Sequence, residues 1–395
     1  MKILVLNAGS SSIKFQLLAM PQGKVIAKGL LERIGLNDAE IHYKTKHFSL
    51  NNTLAIPNHK IGLEKIINYL SNKETGVINH IDEINAVGHR VVHGGNTFQK
   101  TTLITKAVKQ TIKDLAFLAP LHNPANLTGI TVAEALFPKA QQVAVFDTAF
   151  HQTIPEVAHR YAIPNQLYEK ENIRVYGFHG TSHQYVSQEA INYLNKKNSK
   201  IISIHLGNGC SMTAIQDGKS IDHSLGFGPM NGLIMGTRSG DIDQSVILYL
   251  MQQLSYTTTD ISNLLQKESG MLGLTGMSDL RDIEKAASAG DKNATLALAM
   301  NTYRIKKYIG AYTAIMNGLD ALVFTAGIGE NSNVIREQVC SNLSYLGIAL
   351  DEIKNNNHFD KLTSIEHQSS AVKILVIPTN EELEIAKQTY KLLQK

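Results

Sequence analysis

The strongest constraint on the fold is a strand–turn–strand pattern that begins near residue 2 and again near residue 200. In the first copy, apolar residues 3–6 lead into Asn7-Ala8-Gly9-Ser10-Ser11-Ser12 and a returning segment of alternating residues. In the second, residues 201–206 lead into Gly207-Asn208-Gly209-Cys210-Ser211 and a similar return. Apolar runs of this kind predict buried strands. The repeat therefore indicates gene duplication, with two similar domains facing each other.

Both turns consist mainly of glycine and small polar residues, and Lys14 follows the first bend. Glycine lets backbone N–H groups approach an anion closely, and such concavities suit phosphate. The alternative is that each is an ordinary Asn/Gly/Ser turn between two strands. Because two such turns would face the same cleft, the pair favours phosphate binding more than either turn does alone.

Composition narrows the class of protein. A chain of 395 residues exceeds what one core usually holds, which predicts two domains. Its 38 basic and 34 acidic residues are spread along the sequence, so nothing indicates a nucleic-acid partner. Cys210 and Cys340 lack the spacing of a disulfide framework or a zinc site, which favours a reducing compartment. The apolar runs are too short for a signal peptide or a membrane span, so we expect a cytoplasmic protein.

Two arginines lie among small and polar residues. Arg90 stands in Gly-His-Arg-Val-Val-His-Gly-Gly, and Arg238 in Met-Gly-Thr-Arg-Ser-Gly-Asp. The planar guanidinium suits a carboxylate or a phosphate, which predicts an anion clamp at each position. The alternative is neutralisation by a nearby acid, which for Arg238 would be Asp241 or Asp243.

Asp147 and His179 are further candidates. Asp147 follows the apolar strand 143–146, and α/β enzymes often place catalytic groups at that end of a strand. It could equally serve as a cap or a turn residue. His179 precedes a predicted helix whose N-terminus favours anions, although a structural role for this histidine is an equal alternative.

The end of the chain holds a possible nucleotide loop and possible metal ligands. Gly327 and Gly329 follow the apolar strand 321–324, a weak nucleotide-loop signal. Glu381 and Glu382 begin the last predicted helix, where the helix dipole alone favours acids. A role for either as a metal ligand is the alternative.

The remaining patterns predict ordinary elements. Thr181 or Ser182 and Asn123 are expected to cap helices. We expect strands at 25–34, 40–50, 84–92 and 372–377, and helices at 59–71, 105–118, 181–194, 264–274, 279–289 and 294–316.

Taken together, seven motifs stand in one order between Asn7 and Glu381, and the chain resembles the acetate kinase family of the acetate and sugar kinase/Hsp70/actin superfamily. The motifs are Asn-Ala-Gly-Ser-Ser-Ser-x-Lys, Gly-His-Arg-Val-Val-His-Gly-Gly, Phe-Asp-Thr-Ala-Phe-His, Tyr-Gly-Phe-His-Gly-Thr-Ser-His, His-Leu-Gly-Asn-Gly, Met-Gly-Thr-Arg-Ser-Gly-Asp and Gly-Ile-Gly-Glu-Asn.

The resemblance implies a fold and a reaction. The fold would be α/β: a duplicated actin-like, ribonuclease H-like two-domain fold with an interdomain cleft. Residues 1–150 and 381–395 would form one domain, and residues 151–380 the nucleotide-binding domain. The enzyme would be a phosphotransferase with a carboxyl acceptor, reversibly transferring the γ-phosphoryl group of ATP in line to acetate to give acetyl phosphate and ADP. Mg²⁺ would be the cofactor, with Mn²⁺ as a substitute, and the assembly would be a homodimer.

The resemblance also implies residue roles. Asn7 and Glu381 would hold Mg²⁺, and Asp147 would be the catalytic acid. Arg90 and Arg238 would bind the carboxylate and the transferring phosphoryl group, and His179 would donate to that group's oxygens. The acyl methyl group would be lined by Val92, Leu121, Phe178 and Pro229. ATP would be bound by Lys14, His205, Leu206, Gly207, Asn208, Gly209, Asp279, Leu280, Arg281, Gly327, Ile328, Gly329, Glu330 and Asn331.

Chemistry argues for a different role for Asp147. A carboxylate acceptor is already ionised at neutral pH, so no general base is required. Our hypothesis is that Asp147 organises the metal and orients Arg90 or Asn7.

The sequence departs from the family pattern in three places. It reads Asp222-His223-Ser224-Leu225-Gly226-Phe227-Gly228-Pro229-Met230-Asn231-Gly232 where the family usually reads Asp-Thr-Ser-Met-Gly-Phe-Thr-Pro-Leu-Glu-Gly. It is one residue short near Asp279, and Cys210 replaces a small residue. A propionate or butyrate kinase is therefore an alternative within the family, and a non-catalytic nucleotide-gated module is one outside it.

Overall fold

A computed structural model describes residues 1–394, which form two compact units. The first unit contains residues 1–150 and the described residues from 380 onward, and the second contains residues 151–379. Short 3-10 helices occur at Ile81–Glu83, Leu115–Leu118, Ala149–Thr153 and Ser344–Leu346.

The first unit is built on one mixed sheet. Its strands are β1 (Lys2–Ala8), β2 (Ile13–Ala19), β3 (Lys24–Glu32), β4 (Ala39–Thr45), β5 (Ser49–Leu54), β6 (Ile84–Val91), β7 (Thr102–Leu103) and β8 (Gln141–Phe146). Its first helices are α1 (His59–Ser71), α2 (Lys106–Asp114) and α3 (Asn123–Leu136). The strand order is β5-β4-β3-β2-β1-β6-β8-β7, with β2 antiparallel and β6 parallel to β1.

The second unit has its own mixed sheet. Its strands are β9 (Lys200–Leu206), β10 (Cys210–Gln216), β11 (Lys219–His223), β12 (Ala321–Thr325), β13 (Thr363–Ser364) and β14 (Lys373–Val376). Its helices are α4 (Glu156–His159), α5 (Asn165–Glu171), α6 (Gly180–Leu194), α7 (Gln244–Gln253), α8 (Thr258–Lys267), α9 (Gly270–Thr275), α10 (Leu280–Ser288), α11 (Lys292–Met316), α12 (Ala326–Asn331), α13 (Asn333–Cys340) and α14 (Glu352–Asn355). The last helix of the chain, α15 (Glu381–Leu393), belongs to the first unit.

The two sheets share one connectivity. In the second unit the order is β11-β10-β9-β12-β14-β13, with β10 antiparallel and β12 parallel to β9. The five strands β3-β2-β1-β6-β8 of the first sheet have the same order and directions as β11-β10-β9-β12-β14 of the second. The predicted α/β class with a duplicated actin-like plan is therefore confirmed.

Strand β1 is apolar on both faces because helices cover both sides of its sheet. Leu4 and Leu6 join the core that includes residues of α1 and α3. Ile3 and Val5 alternate with them and pack with Ile385 of α15. This packing places the N-terminus of α15 beside the sheet, and the Asn380 side chain caps that helix by accepting from the Leu383 N–H.

Several predicted elements differ in detail. The predicted strand 40–50 is split into β4 and β5, and the predicted helix 264–274 is divided between α8 and α9. Asn123 does not cap α3, because its side chain binds the backbone N–H and carbonyl of His93. Neither Thr181 nor Ser182 caps α6, whose N-cap is His179. No described helix combines the length and the apolar character needed to cross a membrane.

Candidate active site

The first turn, between β1 and β2, is held by side chains from two helices. The Gly9 N–H donates to the Ser12 carbonyl at 2.8 Å. The Asn126 side-chain amide on α3 donates to the Ala8 carbonyl (2.8 Å), and the His59 ring on α1 donates to the Gly9 carbonyl (2.7 Å). The turn is thus fixed before any ligand arrives.

Three predicted residues of the first unit meet around a fourth, Arg90, at the end of β6. The guanidinium Nε and Nη2 donate to one Asp147 carboxylate oxygen at 3.0 and 2.5 Å. Nη1 donates to the Asn7 side-chain oxygen at 3.4 Å, and a Glu381 oxygen lies 3.8 Å from Nε. Since β6 and β8 are parallel neighbours, the sheet itself brings Arg90 and Asp147 together. In this structure Arg90 is therefore paired with an acid, as the alternative interpretation of the sequence predicted.

This cluster carries more negative than positive charge. Burial works to lower the pKa of Arg90, but the carboxylates of Asp147 and Glu381 outweigh it, and the pKa is raised. The pKa of Glu381 is raised by burial and by the neighbouring carboxylates of Asp147 and Glu382, against the opposing effect of Arg90. A further cation at this point would relieve the repulsion.

Lys14 is paired with a carboxylate although its side chain is exposed. Its ammonium lies 2.7 Å from a carboxylate oxygen of Glu382, whose side chain is buried. The Gln16 side-chain amide also donates to Glu382, at 3.4 Å. A phosphate group that binds Lys14 would therefore compete with Glu382 for the ammonium.

The residues predicted to hold Mg²⁺ suit that ion. Asn7 and Glu381 offer an amide oxygen and a carboxylate, and both lie against the same arginine. Within the described residues, no cluster of three or more His, Cys, Asp or Glu side chains forms a metal site. Mg²⁺ does not need one, because it usually keeps several waters and binds one or two carboxylates plus substrate phosphates. The raised pKa of Glu381 is consistent with a position that favours a cation.

The two acyl-pocket candidates in this unit differ. Val92 is buried, and its backbone N–H donates to the Asn126 side chain at 3.0 Å. Leu121, in contrast, is 61% exposed and does not belong to the buried core of the first unit.

The second unit contains a cavity of about 710 Å³. Nine of the predicted ATP-binding residues line it: Leu206, Gly207, Asn208, Asp279, Leu280, Arg281, Gly327, Ile328 and Asn331. Its position beside the β9–β10 turn and the N-terminus of α10 suits a phosphorylated ligand. The segment around Asp279, where the sequence is one residue shorter than the family pattern, still lines the cavity.

The other five predicted ATP-binding residues lie outside the cavity lining: Lys14, in the first unit, and His205, Gly209, Gly329 and Glu330. Glu330 accepts from the Thr379 N–H at 3.0 Å, and the Gly329 carbonyl accepts from Arg336 at 3.0 Å. The His205 ring is bonded to Ser182 and stacks on His179 with centroids 4.4 Å apart. Gly209 lies beside the His179 ring.

The segment predicted as a nucleotide loop is a short helix, α12. Ala326 opens it with a φ of 65°, a conformation unusual for a residue with a side chain. The buried Arg336 fixes the helix by donating to the carbonyls of Gly329 and Glu330. Burial lowers the pKa of Arg336 to about 10. The isolated glycine pair did not indicate a helix, since glycine disfavours helix interiors.

Sequence patterns missed several lining residues of the cavity. Asn301, from the middle of α11, donates to the Ile234 carbonyl at 3.2 Å. No local motif marks Asn301. The only signal was a polar residue among the mostly apolar residues on the buried side of α11. The other missed residues are Cys210, Ile234, Met235, Gly236, Met271, Ser278, Glu284 and Ser332.

His179 and Arg238 are held by neutral partners. His179 has a φ of 55°, and its Nδ1 lies 2.9 Å from the Ser211 hydroxyl. Arg238 donates to the Pro229 carbonyl at 2.9 Å, and burial lowers its pKa. Within the described part of its unit, no ion pair joins Arg238 to a carboxylate.

The acids proposed as alternative partners of Arg238 are engaged elsewhere. Asp241 accepts from the Gly232 N–H and from the Tyr308 hydroxyl, and Asp243 caps α7. Arg238 is therefore a half-buried cation available for an anionic ligand. Of the two acyl-pocket candidates in this unit, Phe178 is buried and Pro229 is only partly covered.

Comparison with known sequences gives one result along the whole chain. The sequence model described as the acetokinase family matches residues 2–387. The chain is 60% identical over 394 residues to an acetate kinase of Flavobacterium johnsoniae and 50% identical over 400 residues to one of Halothermothrix orenii. Each alignment covers 100% of both chains.

Solved structures agree with these matches. The crystal structure of Porphyromonas gingivalis acetate kinase superposes with a TM-score of 0.93 at 46% identity, covering 99% of each chain. A propionate kinase from Francisella tularensis superposes with a TM-score of 0.92 at 44% identity, covering 98% of each chain. The chain belongs to the acetokinase family.

Proposed function

We propose that this chain is an acetate kinase that transfers the γ-phosphoryl group of ATP reversibly to acetate, giving acetyl phosphate and ADP. The observation that carries the proposal is the pair of arginines. Arg90 is held by Asp147 and Asn7, and Arg238 donates to the neutral Pro229 carbonyl. This pair of arginines, together with 60% sequence identity over the full length to an acetate kinase, supports an acceptor that is itself an anion.

The roles follow from the charge of the reacting groups. A transferring phosphoryl group spreads negative charge over its equatorial oxygens, and fixed positive charge stabilises it. Arg90 and Arg238 would supply that charge to the acetate carboxylate and the phosphoryl group. His179 would donate a hydrogen bond to a phosphoryl oxygen.

Asp147 would act through Arg90 and not as a base. Its buried carboxylate accepts two of the guanidinium N–H groups, which fixes the orientation of the arginine. Since the acetate nucleophile is already ionised, Asp147 has no proton to remove.

The cofactor would be Mg²⁺, held by Asn7 and Glu381. When bound, Mg²⁺ supplies positive charge that neutralises the phosphate oxygens of the nucleotide. Lys14 would leave Glu382 to contact those phosphates. The adenosine side would occupy the cavity beside Asp279 and Gly327.

The reverse reaction tests this function. Purified protein is supplied with ADP, acetyl phosphate and Mg²⁺, and ATP is measured by luciferase. We expect ATP formation that requires all three components. A protein that binds ADP in calorimetry but forms no ATP would instead be a non-catalytic nucleotide-gated module.

A second candidate differs only in the length of the acyl chain. A Cβ added at Gly228, next to Pro229, would meet no atom within 4 Å, so the space there is open. A propionate kinase is among the similar structures. Competition among acetate, propionate and butyrate separates the candidates: we expect the highest kcat/KM with acetate, and a higher value with propionate or butyrate would make that acid the substrate.

We also propose a homodimer that works in the cytoplasm. Helix α7 has no buried residue, and its exposed side chains include Val246, Leu248 and Tyr249. Residues 244–259 contain no charged side chain, and depletion of charge is typical of interface cores. A second copy of the chain would cover this surface. The two buried, unpaired cysteines are consistent with a reducing compartment.

A further inference from the structure

Phe178, which precedes the candidate catalytic His179, is hydrogen-bonded by two other histidines. The ring Nε2 of His151 lies 2.9 Å from the Phe178 carbonyl oxygen, and the Phe178 N–H points to the ring Nε2 of His223 at 3.1 Å. The two rings are themselves in contact, with centroids 4.1 Å apart. Both polar groups of Phe178 are therefore bound by imidazole nitrogens.

These contacts assign the protons on both rings. A carbonyl can only accept, so the Nε2 of His151 must carry a proton. A backbone N–H can only donate, so the Nε2 of His223 must be bare. The second nitrogens agree with this: the Nδ1 of His151 lies 2.9 Å from the Ser220 hydroxyl, and the Nδ1 of His223 lies 2.8 Å from that of Thr213. One ring thus donates to Phe178 through its Nε2, and the other accepts through its Nε2.

The backbone at this point requires such support. Gly177 has a φ of 74° and His179 a φ of 55°, so Phe178 lies between two left-handed residues. A Cβ at Gly177 would lie 2.7 Å from the His151 ring and 3.0 Å from the His223 ring. Left-handed residues with side chains persist only where their surroundings hold them.

The charge state of His223 decides whether its hydrogen bond with the Phe178 N–H can form. Protonation would place an Nε2–H against the Phe178 N–H, and the hydrogen bond would be lost. The pKa of His223 is well below its usual range because of burial first and then of the neighbouring rings of His151, His183, His179 and His205. The neutral form is therefore kept across the physiological pH range.

We propose that His151 and His223 form a clamp, one ring donating and the other accepting, that positions Phe178 against the acyl group and His179 against the phosphoryl group. The proposal rests on the proposed function, and both histidines are positioning residues because neither touches the reacting atoms.

The tautomers can be measured without any substrate. Long-range proton–nitrogen NMR of the full chain labelled with ¹⁵N-histidine distinguishes the two ring tautomers, with His151→Gln and His223→Gln used to assign the signals. We expect His151 protonated at Nε2, and His223 neutral at pH 7 with its proton at Nδ1. A His223 ring protonated at Nε2 would overturn the clamp whether or not the chain is a kinase.

Kinetics test the positioning role. His223→Leu removes the acceptor, whereas the side-chain oxygen of His223→Gln can still accept from Phe178. We expect His223→Leu to lower kcat/KM for acetate by about 10-fold or more, because small displacements of reacting groups are costly. The KM for ATP should change less than about twofold, and His223→Gln should recover activity to within about threefold of wild type.

A matched control separates positioning from general damage. His159 is another buried histidine of the same unit, bonded to the Ile154 carbonyl and to Tyr168 but not to Phe178. His159→Leu should lower the melting temperature and leave the acetate KM unchanged. Wild-type acetate kinetics in His223→Leu, or equal losses in the Leu and Gln variants, would overturn the proposal. A wild-type chain that transfers no phosphoryl group to any carboxylate acceptor would instead refute the proposed function, and the NMR result would be unaffected.

Discussion

At the scale of single residues, Arg90 is the centre of charge in the first unit. Its guanidinium uses three nitrogens to bind Asp147 and Asn7, and lies near Glu381. Arg90→Ala should lower kcat/KM for acetate by about 10²–10³-fold, since one fixed transition-state donor contributes that much. Arg90→Lys should recover little, because an ammonium cannot reproduce the fork.

The matched control for Arg90 is Arg33→Ala, which removes an exposed arginine paired with Asp38 in the same unit. It should leave the kinetics unchanged. Steady-state assays of the three variants decide the matter, and an Arg90→Ala enzyme as active as wild type would remove this residue from the mechanism.

Asp147→Asn separates an orienting role from a basic one. Asparagine keeps an oxygen acceptor for Arg90 but loses the charge, so we expect kcat/KM to fall by about 10–100-fold. Because no base is needed, the pH profile of kcat should keep its shape. Loss of an acid limb in the variant, measured between pH 5 and 9, would show that Asp147 does remove a proton.

Asp222, which precedes His223, gives a prediction about stability. Burial raises the pKa of Asp222 to about 6, although the His223 N–H opposes the shift. A carboxyl group with a raised folded-state pKa destabilises the fold as pH rises from its unfolded value of about 3.9 through about 6. Asp222→Asn removes that cost, on the order of 2 kcal/mol.

Urea unfolding at two pH values checks the sign. The variant should be more stable than wild type at pH 7.5, and the gain should be smaller at pH 5. An equal gain at both pH values would mean that the effect has another origin.

At the scale of elements, the packing of α15 on β6 depends on a missing side chain. A Cβ at Gly88 would lie 2.7 Å from the Thr389 hydroxyl and 2.9 Å from an Ile385 methyl group, both on α15. Gly88→Ala should therefore destabilise the fold by about 1–3 kcal/mol. It should also raise the KM for Mg²⁺, because α15 carries Glu381.

The control for this element is Gly310→Ala in α11, where an added Cβ meets nothing within 4 Å. Alanine should stabilise this helix by about 0.5–1 kcal/mol. Thermal unfolding and Mg²⁺ titration of both variants test the pair. If the Gly88→Ala enzyme kept wild-type Mg²⁺ dependence, the packing of α15 on β6 would not affect Mg²⁺ binding.

Elements with local signals were predictable. Helix α1 matches its predicted range because the Asn58 side chain caps it. Strand β9 matches because its apolar run ends at a glycine. Helix α12 and the division between α8 and α9 were not predictable, since Arg336 and the left-handed Gly270 act through tertiary contacts.

The same division holds for the site. Arg90 and Asp147 could be predicted because Arg90 lies at the end of one recognisable strand and Asp147 directly follows another. The pairing of Lys14 with Glu382 could not, because 368 positions separate them and only the packing of α15 joins them. Asn301 reaches the cavity from a long helix with no motif around it.

At the scale of the whole molecule, the duplicated sheet order was predictable from the repeated turn, whereas the homodimer was expected only from the family resemblance. The apolar, charge-free surface of α7 predicts a dimer whose mass is twice the 43.4 kDa of the chain. A double variant, Leu248→Glu with Tyr249→Glu, should give monomers, because buried unpaired charges oppose association.

Sedimentation velocity measures this directly. Ile353→Glu is the control, because Ile353 is equally apolar and 84% exposed but lies on α14. It should remain dimeric. A wild-type chain that sediments as a monomer at micromolar concentration would contradict the assembly, and a dimeric double variant would move the interface elsewhere.

The most direct test of the central claim is chemical trapping of the product. The protein is incubated with ATP, Mg²⁺ and acetate in the presence of hydroxylamine, which converts an acyl phosphate to a hydroxamate. We predict hydroxamate that requires both ATP and acetate, forms in proportion to the ADP released and is lost in Arg90→Ala. Release of ADP without hydroxamate would contradict the account, because it would show transfer to water instead of to a carboxylate.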